Sequence, residues 1–252
     1  MNEKQPQQQK TMSWNDPQVE GYGRTISLKI PGYFMLYDMT DRLMNAMLGP
    51  EREQDILVVG AGGGQEIVTL GGAHPAWRFT GVDPSARMLA IAEQRIRMER
   101  LEAEVTLHEG TADELPKDKL HDAATSLLVL HFIKGLDQKR ELLRSIAERL
   151  KPGAPLFIAA ISCDRQEEAF AVQMSAWQSH MLDNGIPLED WERFAASIGA
   201  ESDPVPPEQV EELLREVGFN HISKFFGSYL ITGWFAVKAD GELNIEEKRQ
   251  DK

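Results

Sequence analysis

The chain has 252 residues, 42% of them hydrophobic, enough for one α/β domain with a modest insertion or a small lid. Its 40 acidic and 27 basic residues leave a net charge of −13, a surface that repels phosphate backbones, and the short basic group Arg95–Arg100 is interrupted by acid, so a small-molecule substrate is favoured over a nucleic acid. No run approaches the roughly 20 apolar residues that span a bilayer, the opening MNEKQPQQQK lacks the apolar core of a signal peptide, and the single Cys163 has no disulfide partner, which together predict a cytoplasmic protein with no membrane partner.

Residues 1–12 are Gln-rich and polar and read as a disordered tail. Residues 13–54 read as an N-terminal helical lid segment, with an amphipathic helix over Gly32–Leu48. A β/α alternation then runs through 55–163, the expected ligand-binding core. Asp55–Val59 is a buried strand followed by a helix over Gln65–Leu70. Trp77–Val82 is a second strand, closed by Asp83, and Pro84 and Ser85 start a helix with Met88, Leu89, Ile91, Ala92 and Ile96 at helical spacing. Glu104–His108 is the third strand. Ala123–Leu130 is the fourth, nearly all apolar as for a strand covered on both faces. Gln138–Leu150 is an amphipathic helix ended by Lys151-Pro152-Gly153, and Pro155–Ile161 is the fifth strand, after which Cys163 reads as a packing residue.

The rhythm breaks over 164–204, which carries Trp177, His180, Met181, Trp191 and Phe194 without a convincing strand; it reads as a helical insertion and a substrate lid. Residues 205–239 complete the core with a helix over Glu208–Val217, stopped by Gly218, and a hairpin of His221–Phe226 and Leu230–Val237 around Gly227-Ser228. Residues 240–252 are charged and read as a mobile tail. Parallel strands need helical crossovers, so the expected fold is α/β: a Rossmann-like, doubly wound, mostly parallel seven-stranded sheet with an antiparallel C-terminal strand and a helical insertion. Its ligand belongs at the carboxyl ends of the central strands.

Gly60-Ala61-Gly62-Gly63-Gly64-Gln65 stands at the end of the first strand. Glycines there let the backbone turn sharply and approach a ligand, next to the free N–H groups of a helix start. The dinucleotide fingerprint GxGxxG would need a third glycine where Gln65 stands, which disfavours a nicotinamide cofactor. Asp83, at the end of the second strand, suits the ribose hydroxyls of an adenosine group; its competing reading is an N-cap for the helix after Pro84.

In order along the chain, DILVVGAGGGQE, FTGVDPSARML, VTLHEGTADELP, HDAATSLLVLHF, RLKPGAPLFIA and REVGFNHISKFF resemble the class I S-adenosylmethionine-dependent methyltransferases over residues 30–238. The resemblance implies S-adenosylmethionine as cofactor and a cofactor loop of Gly60, Ala61, Gly62 and Gly64 under the methionine portion. It places the ribose on Asp83, with Pro84 and Met88 on the nearby wall, Thr111 and Ala112 beside the adenine, and Leu127 and Leu128 facing the sulfonium. The family's acid two residues before the first glycine is Val58 here, and Thr111 stands where an Asp is common, with Asp113 two residues later. No Asn/Asp-Pro-Pro-Tyr follows the fourth strand, against methylation of a nucleobase amine.

SLKIPGY and LVLHFIKGLDQKRELLRSIAERLKPGA are also similar to carboxy-S-adenosylmethionine synthases, which implies a homodimer and a carboxylate contact from Arg193 in DWERFAAS. The competing reading of Arg193 is an exposed helical residue paired with Glu189 or Glu192. His131 is the best-placed candidate base, against a packing role beside Phe132. Tyr33 and Tyr37 are candidates for substrate contact if the N-terminal helix folds over the cofactor, and otherwise pack. No Cys/His/carboxylate spacing suggests a metal. The expected function is methyl transfer from S-adenosylmethionine to a small molecule. A carboxy-S-adenosylmethionine synthase-like enzyme and a non-catalytic cofactor-binding protein remain as alternatives.

Overall fold

The computed structural model describes residues 25–49 and 53–239; the tails expected at 1–12 and 240–252 lie outside the described residues. A helical turn at 25–29 precedes α1 (Tyr33–Leu48). The core follows as β1 (Asp55–Val59), α2 (Gln65–Ala73), β2 (Arg78–Asp83), α3 (Ala86–Met98), β3 (Glu104–Glu109), β4 (Ala123–Leu127), α4 (Leu136–Ala147) and β5 (Pro155–Ile161). Helices α5 (Glu168–Asp183) and α6 (Leu188–Ser197) come next, then α7 (Pro207–Glu216), β6 (Phe219–Ser228) and β7 (Ile231–Lys238). Among the described residues no helix is long and apolar enough to cross a membrane.

The seven strands lie in the order β3-β2-β1-β4-β5-β7-β6, all neighbours parallel except those of β7. Alternation along β1 divides the core: Ile56 and Val58 face one layer, Leu57 and Val59 the other. On the first face pack α1, α2 and the insertion, through Leu36, Ile67, Leu70, Trp177 and Met181. On the second pack α4 and α7, through Leu143, Ile146, Val210 and Leu213. Each such side chain, fully buried, stabilises the fold by about 1.5–3 kcal/mol.

Strand β4 stops three residues before the sequence expectation. Leu128 takes a left-handed φ of 64° and Leu130–Phe132 coil into a 3-10 turn, although the run through Leu130 is as apolar as a strand. The hairpin turn also falls later, on Tyr229-Leu230, because β6 runs through Gly227 and Ser228.

Two buried cations tie loops to this frame. Arg149 has no exposed side-chain surface; its guanidinium donates to Leu115 O at 2.6 Å, Asp113 O at 2.7 Å and Ser145 O at 2.8 Å. Lys139 donates to Ile133 O and to Asp203 Oδ2 at 3.1 Å, and the Gly135 N–H meets the same carboxylate oxygen at 2.7 Å. The Gly135 N–H and Lys139 hold the Asp203 carboxyl below its ordinary range, and burial lowers Lys139. These pairs hold the segment after α6 against the turn after β4. Replacing Arg149 by Met strands three carbonyls and is expected to cost about 3 kcal/mol, read as a lowered urea midpoint with an unchanged slope.

Candidate active site

The strand order reverses between β1 and β4, so the chain leaves their carboxyl ends in opposite directions and opens a crevice. The loop after β1 forms its floor. Gly60 N and Ala61 N both donate to Val82 O, at 2.9 and 3.0 Å. Gly60 has φ 76°, and a Cβ there would lie 2.3 Å from Val129 Cγ2, so the loop after β1 and the turn after β4 can approach this closely only around a glycine. Gly64 caps α2 with φ 77°. A Cβ on it would lie 3.0 Å from the Ala92 Cα of α3. Met88 lies under the loop, its Cε 3.4 Å from where a Gly62 Cβ would stand.

Asp83 orients this loop. Its Oδ2 accepts from Gly62 N at 2.9 Å and its Oδ1 from Ser85 N at 2.9 Å. The cap of α3 is Ser85, whose Oγ accepts from Met88 N at 3.1 Å, so Asp83 is not spent on capping. A carboxylate has about four acceptor positions. With one backbone donor on each oxygen, each retains capacity for a ligand hydroxyl. Burial raises the Asp83 pKa against the opposing pull of the two backbone donors. Pro84 follows it at the rim.

Asp83 O accepts from Gly110 N at 3.1 Å, which brings the loop after β3 alongside. Thr111 and Glu114 form a capping box there, with Thr111 N donating to Glu114 Oε2 at 2.7 Å. Ala112 is buried, and Arg149 holds the carbonyls of the next residues. Thr111 and Ala112 therefore stand on the wall nearest Asp83. Leu127, Leu128 and Val129 close the other side at the end of β4.

His131 does not have the geometry of a base. Its ring is 4% exposed, and Nδ1 accepts from the Ile161 N–H at 3.2 Å. That bond places the ring proton on Nε2 and occupies the lone pair a base would use. Burial, with Lys139 nearby, lowers its pKa to about 3. In this arrangement His131 joins β5 to the turn after β4.

Arg193 projects from α6 with its side chain 71% exposed and pairs with Asp190 one turn earlier, rather than with Glu189 or Glu192. Cys163 is buried, its thiol pushed up to about 11, which suits the packing role.

Tyr33 and Tyr37 of α1 are buried edge to face at 4.9 Å, with Tyr37 Oη donating to Tyr33 Oη at 3.2 Å. Burial raises the Tyr33 pKa, with opposing fields from Arg95 and Glu66, so α1 lies over the start of α2. The insertion reaches the same side: Trp177 Nε1 donates to Lys29 O at 2.6 Å and its ring packs on Phe194 at 4.8 Å. Glu66, in the first turn of α2, is the residue that the sequence pattern does not single out. It is an acid only 4% exposed, pushed up to about 8 by burial. Its one sequence signal is its place four residues before Leu70, on the apolar face of the helix.

Residues 57–156 match the family described as "Methyltransferase domain". The chain is 30% identical over 198 residues to erythromycin 3''-O-methyltransferase of Saccharopolyspora erythraea, covering 75% of this chain and 59% of that protein, so it spans about three fifths of that relative. It is 22% identical to a carboxy-S-adenosyl-L-methionine synthase of Colwellia psychrerythraea, covering 92% and 94% of the two chains. Magnesium protoporphyrin IX methyltransferase from Synechocystis, solved with bound SAH, shares the fold with a TM-score of 0.65 at 14% identity, covering 90% and 96%.

The acid limb of stability follows from His131. The unfolded ring takes up a proton near pH 6.5 while the folded ring stays neutral to about 3, so stability is lost as pH falls through that window. His121, also lowered by burial, adds to the same slope. His131→Asn, whose Oδ1 can replace Nδ1 as acceptor, is expected to flatten the decline in urea midpoint across that window; an unchanged slope contradicts the neutral buried ring.

Proposed function

We propose, on the match of residues 57–156 to a methyltransferase domain and the likeness to a methyltransferase over 198 residues, that the chain is a class I S-adenosylmethionine-dependent methyltransferase that binds its cofactor across the glycine loop and methylates a small-molecule acceptor. The observation that carries this reading is the Asp83 carboxylate. It is fixed by Gly62 N and Ser85 N at the end of β2, beside the strand-order reversal, with acceptor capacity left on both oxygens for a ribose diol. The residues present fit the cofactor elsewhere too. Gly60 and Gly62 leave room at the loop, Met88 and Pro84 border it, Thr111 and Ala112 line the wall for a planar base, and Leu127 and Leu128 offer apolar surface at the far end.

The bound cofactor supplies a methyl group already activated on a sulfonium. The chain's part is to hold acceptor and methyl carbon in line and keep water out. α1, with Tyr33 and Tyr37, and the α5–α6 pair, tied to residue 29 through Trp177, are the elements placed to cover the acceptor. The His131 geometry assigns alignment, rather than proton removal by that ring, to the segment after β4.

A second reading, a carboxy-S-adenosylmethionine synthase-like enzyme, is favoured by the near full-length match to such a relative. The exposure of Arg193 and its pairing with Asp190 weigh against it. Under the main reading Arg193→Ala leaves turnover unchanged; under the second it abolishes formation of the carboxylated cofactor.

Calorimetric titration tests the cofactor assignment. Asp83→Ala is expected to weaken S-adenosylmethionine binding by about 10- to 100-fold, the worth of hydrogen bonds to a charged group. Gly62→Arg is expected to abolish binding. Wild-type affinity in both variants contradicts the assignment.

A further inference from the structure

Glu66 lies in the first turn of α2, on the face that carries Ile67 and Leu70. Its Oε1 is buried without a hydrogen-bond partner, and so is Thr125 Oγ1 on the facing strand β4. Thr125 pairs in register with Val58 of β1, which leads into the glycine loop. Two unpartnered polar atoms thus face each other under that loop. A buried polar group left unsatisfied costs about 1–3 kcal/mol, and more when it carries charge, so such a pair marks a place that a ligand completes.

Thr125 from β4 is the side chain that acts on Glu66; Tyr33 of α1, bonded to Tyr37, feels the fields of both Glu66 and Arg95 of α3. None neutralises the carboxyl: Arg95 donates to Gln65 Oε1 at 3.2 Å, and the two tyrosines bond to each other. The Thr125 hydroxyl alone favours the charged form, and it stops short of a hydrogen bond. What is missing is a compact cation with several donors.

We propose that Glu66 receives the α-ammonium at the amino-acid end of S-adenosylmethionine, sharing that group with Thr125 Oγ1. The inference rests on the cofactor assignment above. With the ribose at Asp83, which grips Gly62, a ligand laid across the loop has its opposite end at the start of α2, where Glu66 stands. Val58 contributes no carboxylate to this floor, so Glu66 provides the charge from the helix side.

The assignment has a proton signature. Burial holds the ligand-free carboxyl protonated up to about pH 8. An arriving ammonium favours the carboxylate, so binding expels the carboxyl proton to solvent. Affinity then rises with pH toward about 8 and falls above it, where the ligand's α-amine loses its charge.

The test is calorimetric titration of the full chain with S-adenosylmethionine at about pH 6.5, where the carboxyl is still protonated and the ligand amine charged. Buffers of different ionisation enthalpy give the proton count. Wild type is expected to release close to one proton. Glu66→Gln, an isostere whose folding is checked by its melting curve, is expected to release none and to bind about tenfold or more weakly. 5′-Methylthioadenosine, which keeps the adenosine and lacks the amino-acid end, should bind both proteins equally. Equal affinity and equal proton counts for S-adenosylmethionine in the two proteins overturn the role of Glu66 while leaving the cofactor assignment standing. Absence of proton release by wild type overturns it as well, since it means that Glu66 stays neutral in the complex and meets the ligand carboxylate. Failure of wild type to bind either ligand overturns the cofactor assignment itself.

Discussion

The close approach of the segments that leave β1 and β4, at the point where strand order reverses, is the constraint on which the rest of the site depends. Gly60 has no Cβ because Val129 occupies that space, and Gly64 has none because α3 does. With those two positions empty, the loop drops between the strands and its amides turn toward the end of β2. Asp83 then fixes that tight turn. One carboxylate holds Gly62 and the start of α3 in a fixed relation, and the loop after β3 joins it through Gly110. Ligand-binding capacity comes from what this arrangement leaves unsatisfied.

Four buried ionisable side chains show the difference between frame and site. Arg149 and Lys139 have their donors matched to carbonyls and to Asp203, and they fasten loops. His131 is neutral and holds one backbone N–H. Glu66 alone among these four has an orphaned oxygen, opposite another orphan on Thr125. Satisfied groups of this kind specify structure, whereas an unsatisfied one beside a crevice is where a ligand is expected.

Much of this was legible in the residues. Strand β5 falls on Pro155–Ile161 as its apolar run indicates, and the glycine loop and Asp83 stand at the ends of β1 and β2. Other features depend on contacts that no local pattern carries. The run from Ala123 to Leu130 is apolar throughout, yet the strand ends where Leu128 turns left-handed, a backbone choice made by the packing of β4 against β5 and the loop. Ser85 takes the cap that Asp83 was equally able to supply from the sequence, a choice made by the loop geometry. His131 meets Ile161 from another strand, a long-range hydrogen bond that no local pattern signals. Arg193 had a local answer, Asp190 at helical spacing, which competes directly with any ligand carboxylate. Glu66 was hidden because an acid in a first helical turn ordinarily serves the helix dipole from solvent.

The central claim is that the crevice between β1 and β4 is built for S-adenosylmethionine. Mass spectrometry of small molecules released by denaturing the protein, purified and then soaked with S-adenosylmethionine and desalted, tests it most directly. The account predicts S-adenosylmethionine or its demethylated product in amounts approaching one per chain. Absence of both, or a nicotinamide cofactor in their place, would contradict it.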